Sequence, residues 1–379
     1  MSLFTIEHRD TGSAARTGAL ALGHGTVATP CFMPVGTNAS VKAIRSDGLE
    51  DLGVNLILGN TYHLYLRPGT EVIGAAPGLH RFMGWQHNIL TDSGGYQIFS
   101  LASFRTVEEE GVAFRSHIDG SAHRLTPSDV VDIQGVLGSD VMMPLDECTA
   151  PGLPRGDAQE AVRRTSAWLG QSASRWRSRR EEIHGQLFGI MQGNFYEDLR
   201  KRSAQEIVAL DLPGYAIGGL SVGEEFSQFR EFLHLSAGML PQEKPRYLMG
   251  IGTPAYILEA VEAGIDLFDC VYPTRTARNA QVLTRDGPIS LRNERFRRDF
   301  SPIDAACGCY TCRHHTRAYL RHLFKAKEIQ AAVLATCHNL AFIQGLVREI
   351  RESILHHDFP RLKREFLLRY DAESDDGDA

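Results

Sequence analysis

Cysteine and histidine residues near the end of the chain have the spacing of metal ligands. Cys307, Cys309 and Cys312 lie within six residues, and the adjacent pair Cys337 and His338 follows further along. Three thiolates and one more ligand from a helix would make a closed tetrahedral site, which is typical of structural zinc. Spacing alone leaves open whether Cys337 or His338 is the fourth ligand, because neighbouring helical residues point about 100° apart. The odd total of seven cysteines argues against a disulfide framework.

Three aspartates have the chemistry and the positions of catalytic groups. Asp92, Asp146 and Asp269 each stand where an apolar, strand-like run gives way to a polar or glycine-rich segment. Two carboxylates can act as nucleophile and general acid or base when a glycosidic bond is exchanged, through a transition state with oxocarbenium character. A third can bind the N–H edge of a base, since a carboxylate accepts two parallel hydrogen bonds. A single aspartate would more commonly cap its own loop, so the hypothesis depends on convergence of the three.

The residues around these aspartates suit a flat, purine-like ligand. Gly94 and Gly95 allow close approach of the backbone, and Tyr96 offers an aromatic face for stacking. Gln192 and the backbone at Gly219 can serve the remaining donors and acceptors of a base edge. The sequence therefore predicts a base-binding pocket that contains the three carboxylates.

Charge is distributed unevenly along the chain. The net charge is −6, but residues 275–325 hold eleven Lys and Arg against four acidic residues, a net of +7. Arg275 and Arg278, which follow Asp269 closely, are placed to contact phosphates or base edges. Charge alone describes a solvated surface equally well. The balance excludes a general nucleic-acid coat protein and allows one local contact with nucleic acid.

These residues need strands whose carboxyl ends meet. Strand-like runs alternate with helical patterns from about residue 54 onward. Six of the runs end in polar or glycine-rich groups, at 91–97, 144–148, 191–194, 218–224, 249–252 and 268–278. An open doubly wound sheet offers one or two such switch points, whereas a barrel brings all strand ends to one face. The sequence therefore predicts an α/β fold of the (β/α)₈ TIM-barrel type.

The 379 residues exceed the ~250 that a barrel needs. We expect about the first 50 residues to be a β extension that caps the barrel, and about 295–345 to be a zinc-binding subdomain. Together these make one catalytic domain over 1–370, followed by an acidic, disordered tail at 371–379. Helical periodicity is clear at 158–176, and Thr253 and Pro254 are the expected start of another helix.

The N-terminus lacks the layout of a signal peptide, and uncharged apolar runs fall short of the roughly 18 residues that a membrane span needs. Hydrophobic residues make up 43% and charged residues 23% of the chain, as in ordinary globular proteins. We expect a cytoplasmic protein without membrane contact.

Seven motifs, in this order, resemble those of the tRNA-guanine transglycosylases, also called queuine tRNA-ribosyltransferases. They are TDSGGYQ, LDEC, QG, GGLSVGE, YLMGIG, FDCVYPTRTAR and C-x-C-x₂-C…H. The resemblance extends from HGTVATPCFMPVGT near residue 24 to about residue 355. It implies a (β/α)₈ barrel with a zinc insert, usually homodimeric. Such an enzyme exchanges guanine at the anticodon wobble position of G-U-N tRNAs for a 7-deazaguanine base.

The resemblance also implies catalytic roles. Asp269 resembles the nucleophile that attacks the ribose C1′ and forms a covalent enzyme–RNA intermediate, and Asp92 resembles the proton acceptor that activates the incoming base. Asp146, Gln192 and Gly219 resemble the contacts to the base edge.

The remaining implied residues fall into three groups. Substrate-binding residues are Asp92, Ser93, Gly94, Gly95, Tyr96, Asp146, Gln192, Gly219, Leu220 and Met249. RNA-binding loops are Gly250, Ile251, Gly252, Thr253, Pro254, Ala255 and Tyr256, and Thr274, Arg275, Thr276, Ala277 and Arg278. Ligands of one structural Zn²⁺ per subunit are Cys307, Cys309, Cys312 and His338, which leaves Cys337 as a bystander.

Three positions bear on the choice of base. Cys148 and Val222 match bacterial members and imply a small pocket, suited to 7-aminomethyl-7-deazaguanine rather than to the bulkier queuine. Asn194 stands where many members have glycine, and a side chain there would alter the pocket. Direct use of queuine is the alternative substrate.

Other functions explain fewer of these features. A non-catalytic, zinc-dependent RNA-binding protein is the main alternative from another class. A silent partner subunit of the same family would lack one of the acids, an archaeosine-type enzyme would need domains after residue 370, and a barrel glycosidase would not need the zinc motif.

Overall fold

The computed structural model describes residues 2–101 and 104–370 of the chain. The predicted acidic tail, residues 371–379, lies outside these ranges. In chain order the strands are β1 (Phe4–Arg9), β2 (Arg16–Leu22), β3 (Gly25–Thr29), β4 (Cys31–Gly36), β5 (Leu56–Gly59), β6 (Asn88–Thr91), β7 (Arg105–Glu108), β8 (Gly111–Arg115), β9 (Ala122–Leu125), β10 (Val141–Met142), β11 (Gln186–Met191), β12 (Gly214–Ile217), β13 (Arg246–Leu248), β14 (Leu267–Cys270), β15 (Gln281–Thr284) and β16 (Gly287–Ser290).

A short 3₁₀ helix at Glu294–Arg298 accompanies the α-helices. The α-helices are α1 (Ser46–Asp51), α2 (Thr61–Leu66), α3 (Thr70–Ala75), α4 (Leu79–Met83), α5 (Gly95–Leu101), α6 (Pro127–Leu137), α7 (Arg155–Ser178), α8 (Glu197–Val208), α9 (Phe226–Gly238), α10 (Pro254–Glu262), α11 (Tyr272–Arg278), α12 (Tyr310–His314), α13 (Arg317–Lys325), α14 (Ile329–Leu355) and α15 (Phe359–Tyr370).

Eight parallel strands close into a barrel, in the order β4, β5, β6, β10, β11, β12, β13 and β14, and β14 pairs back with β4. Side chains alternate along each strand. Leu58 and Leu90 point into the packed barrel interior, whereas their neighbours Ile57 and Ile89 pack against the surrounding helices. The predicted (β/α)₈ barrel is confirmed.

The first barrel strand differs from the prediction. We expected about the first 50 residues to be an added β segment, but Cys31–Gly36 is itself a barrel strand. Its register places Phe32 opposite Phe268 and Met33 opposite Asp269. The extension therefore ends with β3. The antiparallel sheet β1–β3 closes the amino-terminal end of the barrel, where Phe4 joins the interior cluster.

The helices largely follow their periodicity. In α7 the buried residues are Ala158, Ala161, Val162, Thr165, Trp168, Leu169, Ser172, Ala173 and Trp176, which confirms the predicted face. Helix α10 begins at Pro254 as expected, but the side chain of Thr253 makes no capping hydrogen bond. Residues 274–278 differ from the prediction of a loop, because they form most of helix α11.

Helix α14 joins the cysteine motif to the barrel. By length and composition it could cross a membrane, but 56% of its most apolar window is buried inside the protein. Its polar side chains make internal contacts. Asn339 Oδ1 accepts the N–H of Leu283 at 2.9 Å, and Gln344 Nε2 donates to the Phe32 carbonyl at 3.0 Å. These bonds identify α14 as a core helix that fixes the region around β15 and β16 to the barrel.

Candidate active site

The three predicted aspartates lie at the carboxyl ends of barrel strands. Asp92 follows β6, Asp146 follows β10, and Asp269 is the penultimate residue of β14. All three are buried, with 4–9% of their surface exposed. Asp92 and Asp269 interact electrostatically, and Ser93 links Asp92 to Asp146 through a side-chain hydrogen bond. The structure therefore brings the predicted carboxylates into one buried site at the face where barrel enzymes place their active sites.

Asp92 is held by the loop that follows β5. Its Oδ1 accepts the N–H of Thr61 at 2.8 Å, its Oδ2 accepts Asn60 Nδ2, and its carbonyl accepts the Thr61 hydroxyl at 2.6 Å. Burial raises the pKa of Asp92 from 3.8 to about 7, and the negative charge of Asp269 adds to this rise. Asp92 can therefore both accept and donate a proton near neutral pH.

Asp269 is restrained through one oxygen. Tyr247 OH donates to Oδ1 at 2.6 Å, and the N–H of Gly250 donates to the same atom at 3.0 Å. Burial raises the pKa of Asp269, and these two donors oppose the rise by stabilising the carboxylate. Both bonds go to Oδ1, so Oδ2 is the carboxylate oxygen that these two donors do not engage.

Asp146 forms a polar pair with Gln192. Its Oδ1 accepts Ser93 Oγ at 2.9 Å, and its Oδ2 accepts Gln192 Nε2 at 2.8 Å. Burial raises the pKa of Asp146. The Gly95 N–H donates to Ser93 Oγ at 3.0 Å, so the turn after β6 supports the same network. A fixed, buried carboxylate beside an amide is suited to the N–H edge of a planar base.

A buried arginine joins the two loops behind Gln192. Arg200 donates to the carbonyls of Asn194 at 2.9 Å, Gly218 at 2.9 Å and Gly219 at 3.3 Å. Gly219 has a positive φ of 68°, and a Cβ there would lie 2.7 Å from Gln192 Oε1. Only glycine leaves room for that amide. Arg200 thus positions the backbone that surrounds Gln192.

Asn194 does not extend freely into the pocket. Its Nδ2 donates to Thr149 Oγ1 at 2.9 Å and to the Ala150 carbonyl at 2.7 Å. Its φ of 51° is left-handed, a conformation that asparagine tolerates better than most residues. This explains how asparagine can occupy a position that favours glycine.

The remaining predicted base contacts differ in exposure. Tyr96 is the second residue of α5, and 57% of its surface is exposed, which leaves its ring available for stacking. Leu220 is buried after β12, and Met249 packs against the barrel interior. Gly94, with φ of 79°, packs its backbone against Tyr62.

The residues predicted to contact RNA are only partly accessible. Ile251, Pro254, Thr274 and Ala277 are buried and serve packing. Tyr256 packs against Phe226 and Phe229, with ring centroids 5.0 and 4.5 Å away. Gly250 contributes its N–H to Asp269. The two predicted RNA-binding segments, 250–256 and 274–278, also contain Gly252, Thr253, Ala255 and Thr276.

Arg275 and Arg278 lie one helical turn apart on α11. Arg275 is exposed. Nη1 of Arg278 is buried and makes no hydrogen bond within the described ranges, and burial and the nearby Arg275 lower the pKa of Arg278. An unpaired guanidinium donor beside a second arginine is suited to an anion.

The cysteine motif forms a possible metal site. Ligand atoms of Cys307, Cys309, Cys312 and His338 all lie within 4.8 Å of one another, and Cys337 is not part of this set. His338 Nδ1 is 3.2 Å from Cys312 Sγ and 3.7 Å from Cys309 Sγ. Sulfur and nitrogen ligands of a tetrahedral zinc ion would be about 3.6 Å apart, so the donors fit such an ion. His338 Nε2 lies 2.7 Å from the Leu283 carbonyl, which directs Nδ1 to the cysteines.

Sequence reasoning missed four residues that position these groups: Asn60, Thr61, Tyr247 and Arg200. Asn60 and Thr61 directly follow β5, so the rule that polar strand ends converge could have found them. Tyr247 is inside the YLMGIG motif, but nothing in its type indicated that its hydroxyl meets Asp269. Arg200 is in the first turn of α8, and nothing in the local sequence indicates its contacts.

Comparisons with known proteins agree with this geometry. Residues 10–372 match the family model described as queuine tRNA-ribosyltransferase. Among curated proteins, a queuine tRNA-ribosyltransferase of Pelotomaculum thermopropionicum is 52% identical over 370 residues, covering 98% of this chain and 99% of that protein. One from Treponema denticola is 49% identical over 373 residues, covering 98% of both chains. One from Caldanaerobacter subterraneus is 50% identical over 368 residues, covering 97% of both.

Proposed function

The chain belongs to the queuine tRNA-ribosyltransferase family and is a tRNA-guanine pentosyltransferase, and on that premise we propose its specific reaction. It exchanges guanine at the anticodon wobble position of G-U-N tRNAs for 7-aminomethyl-7-deazaguanine. The observation that carries this proposal is the buried pair of Asp92 and Asp269, in which one carboxylate is restrained and the other has a pKa of about 7.

In the first half of the reaction, Asp269 Oδ2 attacks the ribose C1′. The C1′–N9 bond to guanine breaks as the ester bond forms, and Asp92 in its protonated form supplies the proton that the leaving base takes up. Tyr247 and Gly250 hold the nucleophile through Oδ1, so its orientation is fixed before the RNA binds.

In the second half, the new base enters the same pocket. Asp92 accepts the N9 proton, N9 attacks C1′, and the bond from C1′ to Asp269 breaks. Two displacements at one carbon give net retention, as in retaining glycosidases. A pKa of about 7 lets Asp92 donate in one half and accept in the other.

Recognition of the base rests on Asp146. Its carboxylate would accept the N1–H and the exocyclic amine of a guanine-like edge, with Gln192 and the backbone of Gly219 beside it. Ser93, Gly94 and Gly95 form the turn that supports this edge, while Leu220 and Met249 border the pocket and Tyr96 stacks on the base.

The aminomethyl base is the proposed substrate because Cys148 and Val222 match bacterial members of the family, which implies a small pocket. Cys148 lies close enough to Asp146 for that carboxylate to raise the pKa of its thiol, beyond the larger effect of burial. Val222 donates its N–H to Glu224 at 2.8 Å, which fixes the turn after Leu220. The cyclopentenyl group of queuine would need more space here.

The RNA reaches this pocket across α11. Arg275 and Arg278 are proposed to bind the phosphates beside the wobble nucleotide. Segment 250–256, which follows the neighbouring strand β13, is proposed to contact the RNA beside them. An anticodon loop is single-stranded, so a base can leave the stack at modest cost.

Further proposals concern the whole protein. One Zn²⁺ bound by Cys307, Cys309, Cys312 and His338 would stabilise the fold around α12 and α14 and leave no open position for substrate. Residues 1–370 are proposed to act as one catalytic domain with a zinc subdomain at 295–345. We infer a homodimer from the family resemblance, and the cytoplasm as the site of action because its tRNA substrate is there.

The test is an exchange assay with labelled guanine and an unmodified tRNA bearing a G-U-N anticodon. We expect incorporation of the label, followed by its displacement by 7-aminomethyl-7-deazaguanine and not by queuine. Displacement by queuine would keep the enzyme class and contradict the small pocket. Failure of zinc-loaded, folded protein to incorporate guanine would favour the non-catalytic RNA-binding alternative.

A further inference from the structure

Arg200 is a fully buried arginine without an acidic partner. None of its surface is exposed, and within residues 2–101 and 104–370 it makes no ion pair with a carboxylate. Burial lowers the pKa of Arg200 from 12.5 to about 10, so the guanidinium remains charged near neutral pH. Burying a charge without a counter-charge is costly, which favours a role for Arg200 that an uncharged side chain could not fill.

The guanidinium of Arg200 holds two consecutive peptides by their carbonyls. Besides its bond to Asn194, it donates through Nη1 to the Gly218 carbonyl at 2.9 Å and through Nη2 to the Gly219 carbonyl at 3.3 Å. In a planar trans peptide the N–H points opposite to the C=O, and both cis peptides that the structure shows lie elsewhere. The N–H groups of Gly219 and Leu220, which share these two peptides, therefore point away from Arg200.

The N–H groups of Gly219 and Leu220 have no hydrogen-bond acceptor in the part of the chain that the structure describes. The next two N–H groups, those of Ser221 and Val222, donate to the two carboxylate oxygens of Glu224. The value of φ is positive at Gly219, 68°, and again at Ser221, 58°. Turns of this kind direct successive N–H groups at negative charge, and Glu224 shows that this turn does so.

The two peptides that Arg200 holds border the candidate base pocket. A Cβ on Gly218 would lie 2.6 Å from Gln192 Nε2, and one on Gly219 would lie 2.7 Å from Gln192 Oε1, so this amide packs directly on their backbone. Gln192 Nε2 in turn donates to Asp146 Oδ2 at 2.8 Å. If Asp146 binds the N1–H and the exocyclic amine of guanine, O6 falls on the side of Gln192 and Gly219, because C6 is the next ring atom after N1.

We propose that Arg200 is a positioning residue that polarises these two peptides, so that their N–H groups stabilise negative charge on O6 of the departing base. This inference rests on the proposed function. When the C1′–N9 bond breaks, its electron pair goes to the base, and O6 carries part of that charge until Asp92 delivers its proton to the base. Dipoles that are fixed before the reaction stabilise such charge most effectively in a buried site. Arg200 acts through the peptides and does not touch the base.

The test compares the affinities of guanine and 6-thioguanine for the full-length protein by equilibrium dialysis, which needs no turnover. The two bases differ only at position 6, where sulfur is a weaker acceptor than oxygen, and both keep the N–H groups that Asp146 is proposed to bind. We expect wild type to prefer guanine. Arg200→Met should lower this preference by roughly three- to tenfold, the effect of weakening one or two neutral hydrogen bonds. Arg200→Lys keeps the charge and should show an intermediate preference, and it serves as the test if Arg200→Met does not fold.

Arg246→Met is the matched control for the loss of a buried arginine. Arg246 also donates to backbone carbonyls, those of Leu240 and Pro241, but it begins β13 and so lies at the end of the barrel opposite the aspartates. This variant should keep the wild-type preference for guanine. In the exchange assay, Arg200→Lys should lower kcat and kcat/KM for tRNA by the same factor, because the interaction strengthens only as charge develops on the base.

The outcomes separate this inference from the function on which it rests. The same preference for guanine in wild type and in the Arg200 variants would make Arg200 a purely structural residue and overturn the inference. A wild type that binds both bases equally would overturn it as well, since O6 would then have no effective donor. A wild type that binds neither base would instead contradict the proposed function itself.

Discussion

Tyr247 OH donates a 2.6 Å hydrogen bond to Asp269 Oδ1, and the two residues belong to neighbouring barrel strands, β13 and β14. The tyrosine is fully buried, so its hydroxyl has no competition from water, and burial and the charge of Asp269 raise its own pKa well above 10. Tyr247 thus remains a hydrogen-bond donor throughout the working pH range and keeps one oxygen of Asp269 occupied.

We therefore expect Tyr247→Phe to impair exchange without unfolding the barrel. A hydrogen bond to a charged group is worth about 1.5–3 kcal/mol, so kcat/KM should fall by roughly 10- to 100-fold. The lost bond favoured the carboxylate, so the acidic limb of the pH–rate profile should move to higher pH. Tyr215→Phe, on the next strand and bonded to Leu212 and Val208, is the control. Equal activity in Tyr247→Phe and Tyr215→Phe would mean that the Tyr247 hydroxyl does not contribute to the reaction.

Asp92 predicts a pH dependence of stability. Its pKa rises from 3.8 to about 7 on folding, so the folded protein holds a proton that the unfolded chain releases. The stability that this provides is complete below about pH 4 and is lost as the pH rises through about 7. Asp92→Asn should therefore gain stability relative to wild type over that interval, up to roughly 4 kcal/mol.

Urea unfolding between pH 4 and pH 8 measures this difference, and the same variant should lose activity by at least about 100-fold. Asp119→Asn, at an exposed carboxyl whose pKa is lowered to about 2, should show no trend over this interval. If the free energies of unfolding of wild type and Asp92→Asn differed by the same amount at every pH in this interval, Asp92 would be ionised throughout it.

The metal site gives a third prediction. Cys309→Ala should lose zinc and much of its solubility, because a tetrahedral structural site needs all four ligands. Cys337→Ala should retain one zinc ion per chain, since Cys337 is not part of the cluster. Elemental analysis of both purified variants measures this. Full zinc content in Cys309→Ala, or its loss in Cys337→Ala, would contradict the ligand assignment.

The arginines of α11 lead to a fourth prediction, which concerns tRNA binding. Arg275→Ala should weaken tRNA binding and reduce the slope of log affinity against log salt by about one, the effect of losing one phosphate contact. Arg177→Ala removes an exposed arginine near the end of α7, at the far end of the barrel from the aspartates, and should leave both quantities unchanged. An unchanged salt-dependence slope in Arg275→Ala would mean that Arg275 does not contact a phosphate of the bound tRNA.

The barrel was predictable because the strand ends are chemically distinctive, but its first strand was not. Cys31–Gly36 contains Pro34, and proline lacks the N–H that a central strand uses in pairing. It also follows a β hairpin, so it resembled one more strand of the extension. Residues 274–278 were expected to be a loop, although Pro273 at the first turn of α11 is a common start for a helix.

The convergence of the aspartates proposed as catalytic could be predicted, whereas the residues that position them could not. Asp92 and Asp269 carry carboxylates, so their capacity for acid–base and nucleophilic chemistry is evident from residue type alone. Asn60, Tyr247 and Arg200 act through contacts between segments that are distant in sequence, and only the closed barrel brings these segments together.

The most direct test of the central claim is whether Asp269 forms a covalent bond with tRNA. Wild-type protein is mixed with a labelled G-U-N tRNA without free base, and the products are separated on a denaturing gel. We predict a slow-migrating protein–RNA adduct for wild type and none for Asp269→Asn, which should still bind tRNA in a native shift assay. A persistent adduct in Asp269→Asn would contradict the account and make Asp92 the nucleophile to test next.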